Sequence, residues 1–308
     1  MTNQTKRRYR IRNWRDYNSA LIRRGSLTLW VEQGVVGRWQ ETAAPVRRGR
    51  RRLYSDLAIT CALTLREVYH LPLRSTQGLV RSVLRLLGAD VSAPHYTTLS
   101  RRAAHLDVQL GRLPPGPLHL AVDSTGVKLY GEGEWKVRLH GKEKLRTWRK
   151  LHLMIDHATH EAVALSMTGK DVLDRKELPG LLGEVEGEVA EVLGDGAYDF
   201  QDCYKAIHAR GARSVIPPQK RARVRGGAEF RDRNAAVLRS REVGRDEWKK
   251  EAGYHRRSLA ETAMMRLKTI FSDRLKSRAW LRQEAELRVR CAAMNKMTSL
   301  GMPQSYAV

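Results

Sequence analysis

At 308 residues the chain is long enough for one large domain or two modest ones, each with its own apolar core, so a single small module is excluded. Lys and Arg number 57 against 33 Asp and Glu; the formal net charge of +24 points to a polyanionic partner and away from an ordinary metabolic enzyme. Cys61, Cys203 and Cys291 follow no ligand or disulfide spacing, the N-terminus lacks the apolar core of a secretory signal, and no run of about eighteen apolar residues escapes a charge, so a soluble intracellular protein without a zinc site is expected.

The basic residues cluster at 6–12, 47–52, 146–150 and 220–225, which suits a long track of phosphate contacts better than one short patch, and nucleic acid outranks membrane as the partner. Residues 1–52 mix Arg and Gly with three scattered tryptophans, Trp14, Trp30 and Trp39, and have weak periodicity. They read as a partly ordered basic N-terminal arm, with a solvated linker as the alternative. From Ser55, apolar residues recur at helical spacing (Leu57, Cys61, Leu65, Val68), and again at Leu79, Val83, Leu86 and Leu87 before Gly88, which predicts two helices. After Pro94, Thr97 or Thr98 can cap a short third helix that projects Ser100, Arg101 and Arg102. Helices of this kind over 53–112 resemble a helix-turn-helix DNA reader, and any small helical bundle with a basic face shares the pattern.

The stretch LPPGPL at 113–118 interrupts both helix and ladder and marks a domain boundary. Beyond it, LHLAVDS reads as a buried strand ending on Asp123, and RKLHLMIDHATHEAVALSM as a hairpin in which Leu151, Leu153 and Ile155 alternate. A helix after the acids Asp174 and Glu177, a strand ending at Asp195, a helix over 199–211 and the strand RSVIPP follow. From Gly253 the chain is mostly helical to about residue 299, leaving a tail at 300–308. Strands and then alternating helices over 113–299 predict a mixed α/β domain.

Asp123 is followed by Ser124, Thr125 and Gly126, which leave its carboxylate open, and Asp195 is followed by Gly196, which frees the backbone to turn away. An Asp after a strand is commonly a turn or cap residue, so neither decides anything alone. Further on, Tyr254, Arg257, Glu261 and Lys268 lie within a helical stripe about 60° wide, beside an apolar stripe of Ala260, Met264, Leu267 and Phe271. A plain surface ion pair between Arg257 and Glu261 fits the same pattern. His152 alternates with Leu151 and Leu153, and with Arg149 and Lys150 either borders a DNA channel or faces solvent. Asp156, His157 and His160 read as turn residues, Asp174 and Glu177 as first-turn acids, and Gly131 and Gly133 lack the context of a nucleotide fingerprint.

Taken in this order, these residues resemble the DDE transposases of bacterial insertion sequences, in particular the group named after insertion sequence five. The resemblance runs over about 118–268. Its most specific part is the family signature of Tyr, two residues, Arg, three residues, Glu, six residues, Lys, which Tyr254, Arg257, Glu261 and Lys268 reproduce. The segment DGAYD around Asp195, with Tyr198, looks like the family's second-acid region. The intervals of 72 and 66 residues between the acids leave little room for an insertion domain before Glu261.

The resemblance implies an RNase H-like mixed-sheet core in which Asp123, Asp195 and Glu261 hold two divalent cations, Mg²⁺ or Mn²⁺, for cleavage at transposon ends and strand transfer into target DNA. It also implies that Arg257 and Lys268 hold end phosphates, with Tyr254 beside them. Lys150, His152, Ser100, Arg101 and Arg102 complete the candidate DNA-binding set. The expected partner is double-stranded DNA, both terminal inverted repeats and target, bound by a homodimer at the cytoplasmic nucleoid, with no organic cofactor. A catalytically silent DNA-binding regulator and a related metal-dependent nuclease are the alternatives, and the presence of all three acids favours the active transposase.

Overall fold

The structure, a computed structural model, describes residues 9–31, 33–42, 52–111, 113, 115–129 and 148–308; Gly131, Gly133 and parts of the basic blocks at 6–12, 47–52 and 146–150 lie outside them. The chain divides into two units, Met1–Arg102 with Ala293–Val308, and Ala103–Ala292, the second division falling inside the helix Trp280–Ser299.

In the first unit the predicted helix from Ser55 is Asp56–Val68, capped by the Ser55 hydroxyl, which accepts from Ala58 N at 3.1 Å. The next, Leu73–Leu86, stops before Gly88, whose φ of +62° is the left-handed conformation that glycine tolerates at a helix end. Its buried face is Thr76, Val80, Val83 and Leu84, so the predicted stripe is displaced, and Leu86 and Leu87 are exposed at 84% and 54%. The third helix, Tyr96–Arg102, begins just ahead of the predicted threonine caps, where Tyr96 N donates to Gln77 Oε1 at 3.0 Å.

The N-terminal arm differs most from its sequence reading. It folds into the helices Trp14–Arg23, Leu27–Trp30 and Gln33–Gly37. Trp30 and Trp39 are buried, and their indole N–H groups donate to Arg24 O and Ser92 O, each at 2.9 Å. Two large aromatic side chains supply the apolar burial that periodicity in the arm did not reveal. The terminal residues are also structured, because β1 (Tyr9–Ile11) pairs antiparallel with a strand at Ser305–Ala307.

The second unit is built on β2 (Leu118–Leu129), β3 (Trp148–Asp156), β4 (Glu161–Gly169), β5 (Val189–Leu193) and β6 (Arg213–Val215), in the order β4-β3-β2-β5-β6. β3 runs antiparallel to β2 and β4, while β5 and β6 run parallel to β2, which makes the mixed sheet of the RNase H-like class. Side chains alternate across β2. Leu118, Leu120 and Val122 join a core with the helices Leu178–Glu184 and Gln201–Ala209, whereas Asp123 and Thr125 on the other face meet Arg257 and Lys268.

Three local expectations change. β2 does not end at Asp123 but continues to Leu129, because β3 pairs with it as far as Lys128↔Trp148 and the short β7 (Arg274–Leu275) joins its far end. In β3, Leu151, Leu153 and Ile155 are buried as predicted, but so are His152 and Met154, since helices cover both faces of the sheet. The helices Arg231–Glu242 and Arg245–Glu251 escape a periodicity reading because few of their residues, among them Ala236, Val237 and Trp248, are buried.

Candidate active site

β2 and β5 are neighbouring parallel strands whose register pairs Leu120 with Val192 and Ala121 with Leu193, an offset of 72 residues. Asp123 and Asp195 are separated by the same interval, so this register, carried two residues past the end of β5, would set the two acids side by side on neighbouring strand paths. Asp195 also caps the turn Gly196–Tyr198, its Oδ1 accepting from Ala197 N at 2.8 Å. Tyr198 is buried, and its ring lies so close to Gly194 that an added Cβ there would stand 3.0 Å from Cδ2. The glycine packed tightest against a side chain here is Gly194, while a Cβ on Gly196 would meet only Pro217 O, at 3.6 Å.

The third acid comes from the helix Ser258–Phe271, whose first turn carries Glu261. Tyr254–Arg257 is a separate 3-10 turn, so the predicted stripe bends at its start, and the apolar stripe of Ala260, Met264, Leu267 and Phe271 is buried as read. Arg257 joins the two elements. Its Nη1 lies 3.0 Å from Asp123 Oδ2, its Nη2 donates to Glu261 Oε1, and its guanidinium lies 5.7 Å from the Tyr254 ring centroid. Lys268 donates to Thr125 Oγ1 at 2.5 Å. Asp123, Ser124, Thr125, Glu261, Met265 and Lys268 line an open cleft of about 510 Å³.

Burial pushes the Asp123 carboxyl above its ordinary range; donation from Ser124 N and the Arg257 cation oppose that, and the charges of Asp195 and Glu261 add to it. Asp195 and Glu261 are thus both near enough to act on Asp123. The donor oxygens of the three acids do not all come within 4.8 Å of one another. A two-ion centre does not need that, since different acids can serve different ions. The all-oxygen donor set and the mutual repulsion of three carboxylates fit a hard divalent cation.

Among the described residues the one convergent group of three or more metal-type side chains is His119, His157 and Glu191. Glu191 Oε1 accepts from His157 Nε2 at 3.0 Å and lies 3.2 Å from His119 Nδ1, and Arg256 Nη1 is also 3.0 Å away. With a guanidinium already on that oxygen, the group works as a buried hub tying β2 and β5 to the turn that carries Arg257. His119 and Glu191 each precede an acid by four residues on a strand, the spacing that returns to the same face, and a polar residue inside an apolar strand was the signal available.

The remaining candidates are scattered. His152 does not border a channel: it is fully buried, with Nε2 2.8 Å from Thr168 Oγ1, because its face of β3 is covered. Lys150 is engaged with Asp174 Oδ1 and Val172 O, each at 2.9 Å, and Asp174 is therefore an ion-pair partner as well as a first-turn acid. In the first unit Arg101 is exposed and Ser100 half-buried, while Arg102 donates to Tyr54 O at 2.8 Å and pairs with Asp56.

An RNase H-like sheet with one acid on its central strand and a second just past the end of the parallel neighbour defines a class of metal-dependent enzymes that act on nucleic acid. Two family models, each described as a transposase DDE domain, match residues 22–132 and 114–296. The second spans more than half of the chain, and the protein belongs to this family: it is a DDE transposase, a metal-dependent enzyme of DNA cleavage and strand transfer. Among solved structures, the cryo-EM structure of a piggyBac transposase synaptic complex with hairpin DNA is similar at a TM-score of 0.36 and 12% identity, over 95% of this chain and 76% of that one. Among the described residues no helix is long and apolar enough to cross a membrane.

Proposed function

We propose that this chain is the transposase of a bacterial insertion sequence of the group named after insertion sequence five, with Asp123, Asp195 and Glu261 as its catalytic carboxylates. In this reading it acts as a homodimer at the nucleoid on the terminal inverted repeats and on target DNA. The observation that carries the assignment is the common 72-residue offset of strand register and acid spacing, with Arg257 linking Asp123 to Glu261.

Two divalent cations, Mg²⁺ or Mn²⁺, would supply activation of the attacking oxygen and stabilisation of the leaving one. The chain's own groups do the rest. Ser124 N and Ala197 N each hold one oxygen of Asp123 and Asp195 at 2.8 Å, which orients the carboxylates before any ligand arrives. Lys268, seated on Thr125, places a cation on the wall of the cleft where an end phosphate would pass, and Arg257, beside Tyr254, places a second one on Asp123 and Glu261. Arg101 on the first unit's last short helix adds an outward cation for duplex contact.

The test is excision and joining of a marked element whose ends are the inverted repeats flanking the gene. Asp123→Asn, Asp195→Asn and Glu261→Gln should each lower cleavage in Mg²⁺ by on the order of 10³-fold while duplex affinity changes little. Near-normal excision by any one of them removes that residue from the site, and cleavage without joining indicates a nuclease instead.

A further inference from the structure

Residues 217–225 leave β6 right beside Asp195. Val215 pairs with Leu193, Gly194 N donates to Val215 O at 3.3 Å, and Pro217 O lies 3.6 Å from where Gly196 would carry a Cβ. The loop then carries Lys220, Arg221, Arg223 and Arg225, all exposed, before the helix Arg231–Glu242. A loop with so many like charges repels itself, and ordering it costs conformational entropy. It is nevertheless stapled along its length.

The staples come from the interior. Asp199 and Arg233, 2% and 3% exposed, pair at 2.7 Å, and Tyr204 donates its hydroxyl to the same Asp199 oxygen at 3.0 Å. A buried pair of this kind adds little net stability by itself. Its remaining hydrogen-bonding capacity goes to the loop: Asp199 Oδ2 accepts from Gln219 N, and Arg233 Nη1 donates to Arg223 O, each at 2.8 Å. Asn234 closes the far end, accepting from Arg225 N at 3.0 Å and donating to Arg225 O at 2.7 Å. Arg241 and Arg245 hold the carbonyls of Ala222 and Pro218, each at 2.9 Å. The backbone is thereby fixed from within while the four cationic residues stay exposed; among the described residues no ion pair engages them, and Arg225 rests 5.4 Å from the Phe230 ring centroid.

We propose that the 219–225 loop is a pre-shaped rail that grips the phosphate backbone of duplex DNA where it runs past Asp195. The inference rests on the acid site being where DNA is cut. Its cations are strung along a run rather than gathered round one point, which fits an extended polyanion better than a single phosphate group. Fixing the backbone beforehand removes an ordering cost from binding.

The test reads the affinity of a fluorescent random-sequence duplex of about 20 base pairs, in EDTA, as salt rises from about 50 to 200 mM. Lys220→Gln combined with Arg221→Gln should flatten the slope of log affinity against log salt by about 1.8. Asn234→Ala keeps every charge and should still weaken binding about 5- to 10-fold by releasing the rail. Lys205→Gln, which removes one charge on the exposed side of the helix Gln201–Ala209, should leave affinity within about twofold. Wild-type binding by natively folded Asn234→Ala, or an equal loss per charge from Lys205→Gln, overturns the rail. If Asn234→Ala fails to fold, Arg225→Gln decides: a slope flatter by about 0.9 supports the rail and an unchanged slope overturns it. Because this readout needs no cleavage, it stands apart from the acid site, whose own failure would show as normal cleavage by Asp195→Asn.

Discussion

Arg257 donates to Asp123 Oδ2 at 3.0 Å across 134 residues of chain, and its second terminal nitrogen reaches Glu261. One guanidinium thus offsets the repulsion between two acids in a half-buried cleft. Arg257→Gln leaves that repulsion uncompensated, and in EDTA the variant should lose about 1–3 kcal/mol of stability. Added Mg²⁺ should recover most of this by taking over the compensation. Thermal unfolding with and without Mg²⁺ checks it; the same loss in both buffers would mean that Arg257 acts by packing alone.

Glu191 predicts a pH effect of definite sign. The His157 hydrogen bond first, then Arg256 and His119, hold its carboxyl at about 2 against an ordinary 4.5. Its folded pKa is depressed, so its contribution is complete above about pH 4.5 and is lost as pH falls toward 2. Glu191→Gln should cost on the order of 3 kcal/mol at pH 7. The gap to wild type in urea unfolding should narrow steadily on acidification below pH 4.5. A gap independent of pH would show that the carboxylate charge is not what matters.

His152 is buried, and burial holds its pKa below the usual 6.5 although Asp174 opposes this. The unfolded imidazole takes up a proton near pH 6.5 and the folded one only lower, so the stability its neutral form provides is lost as pH drops below 6.5. His152→Ala should cost about 2–4 kcal/mol through the cavity and the abandoned Thr168 hydroxyl. Duplex affinity of the protein that remains folded should be unchanged. A selective loss of binding with normal unfolding would return His152 to the DNA-contacting set.

Trp39 and Trp14 test the folding of the N-terminal arm. Trp39 is 1% exposed and donates to Ser92 O, while Trp14 is 56% exposed. Trp39→Ala should therefore cost about 3–5 kcal/mol and Trp14→Ala no more than about 0.5. Equal effects in chemical denaturation would mean that the arm does not pack as described.

The chemistry of this protein was legible in the linear chain because it is carried by local signals. The spacing of Tyr254, Arg257, Glu261 and Lys268 and its neighbouring apolar stripe belong to one short stretch, and the apolar run before Asp123 announces a strand. Net charge is a sum over residues and needs no fold at all. What the chain order alone could not decide depends on which surfaces are brought face to face. His152 was exposed or buried only once a covering layer was placed over β3, β2 passed Asp123 because a partner strand and β7 extended it, and Trp39 found its acceptor 53 residues away. The β2–β5 register, the Arg257 link and the stapling of the 219–225 loop are likewise contacts that chain order does not show. They form only where packing compensates the entropy of closing the chain, which spacing along a sequence does not report.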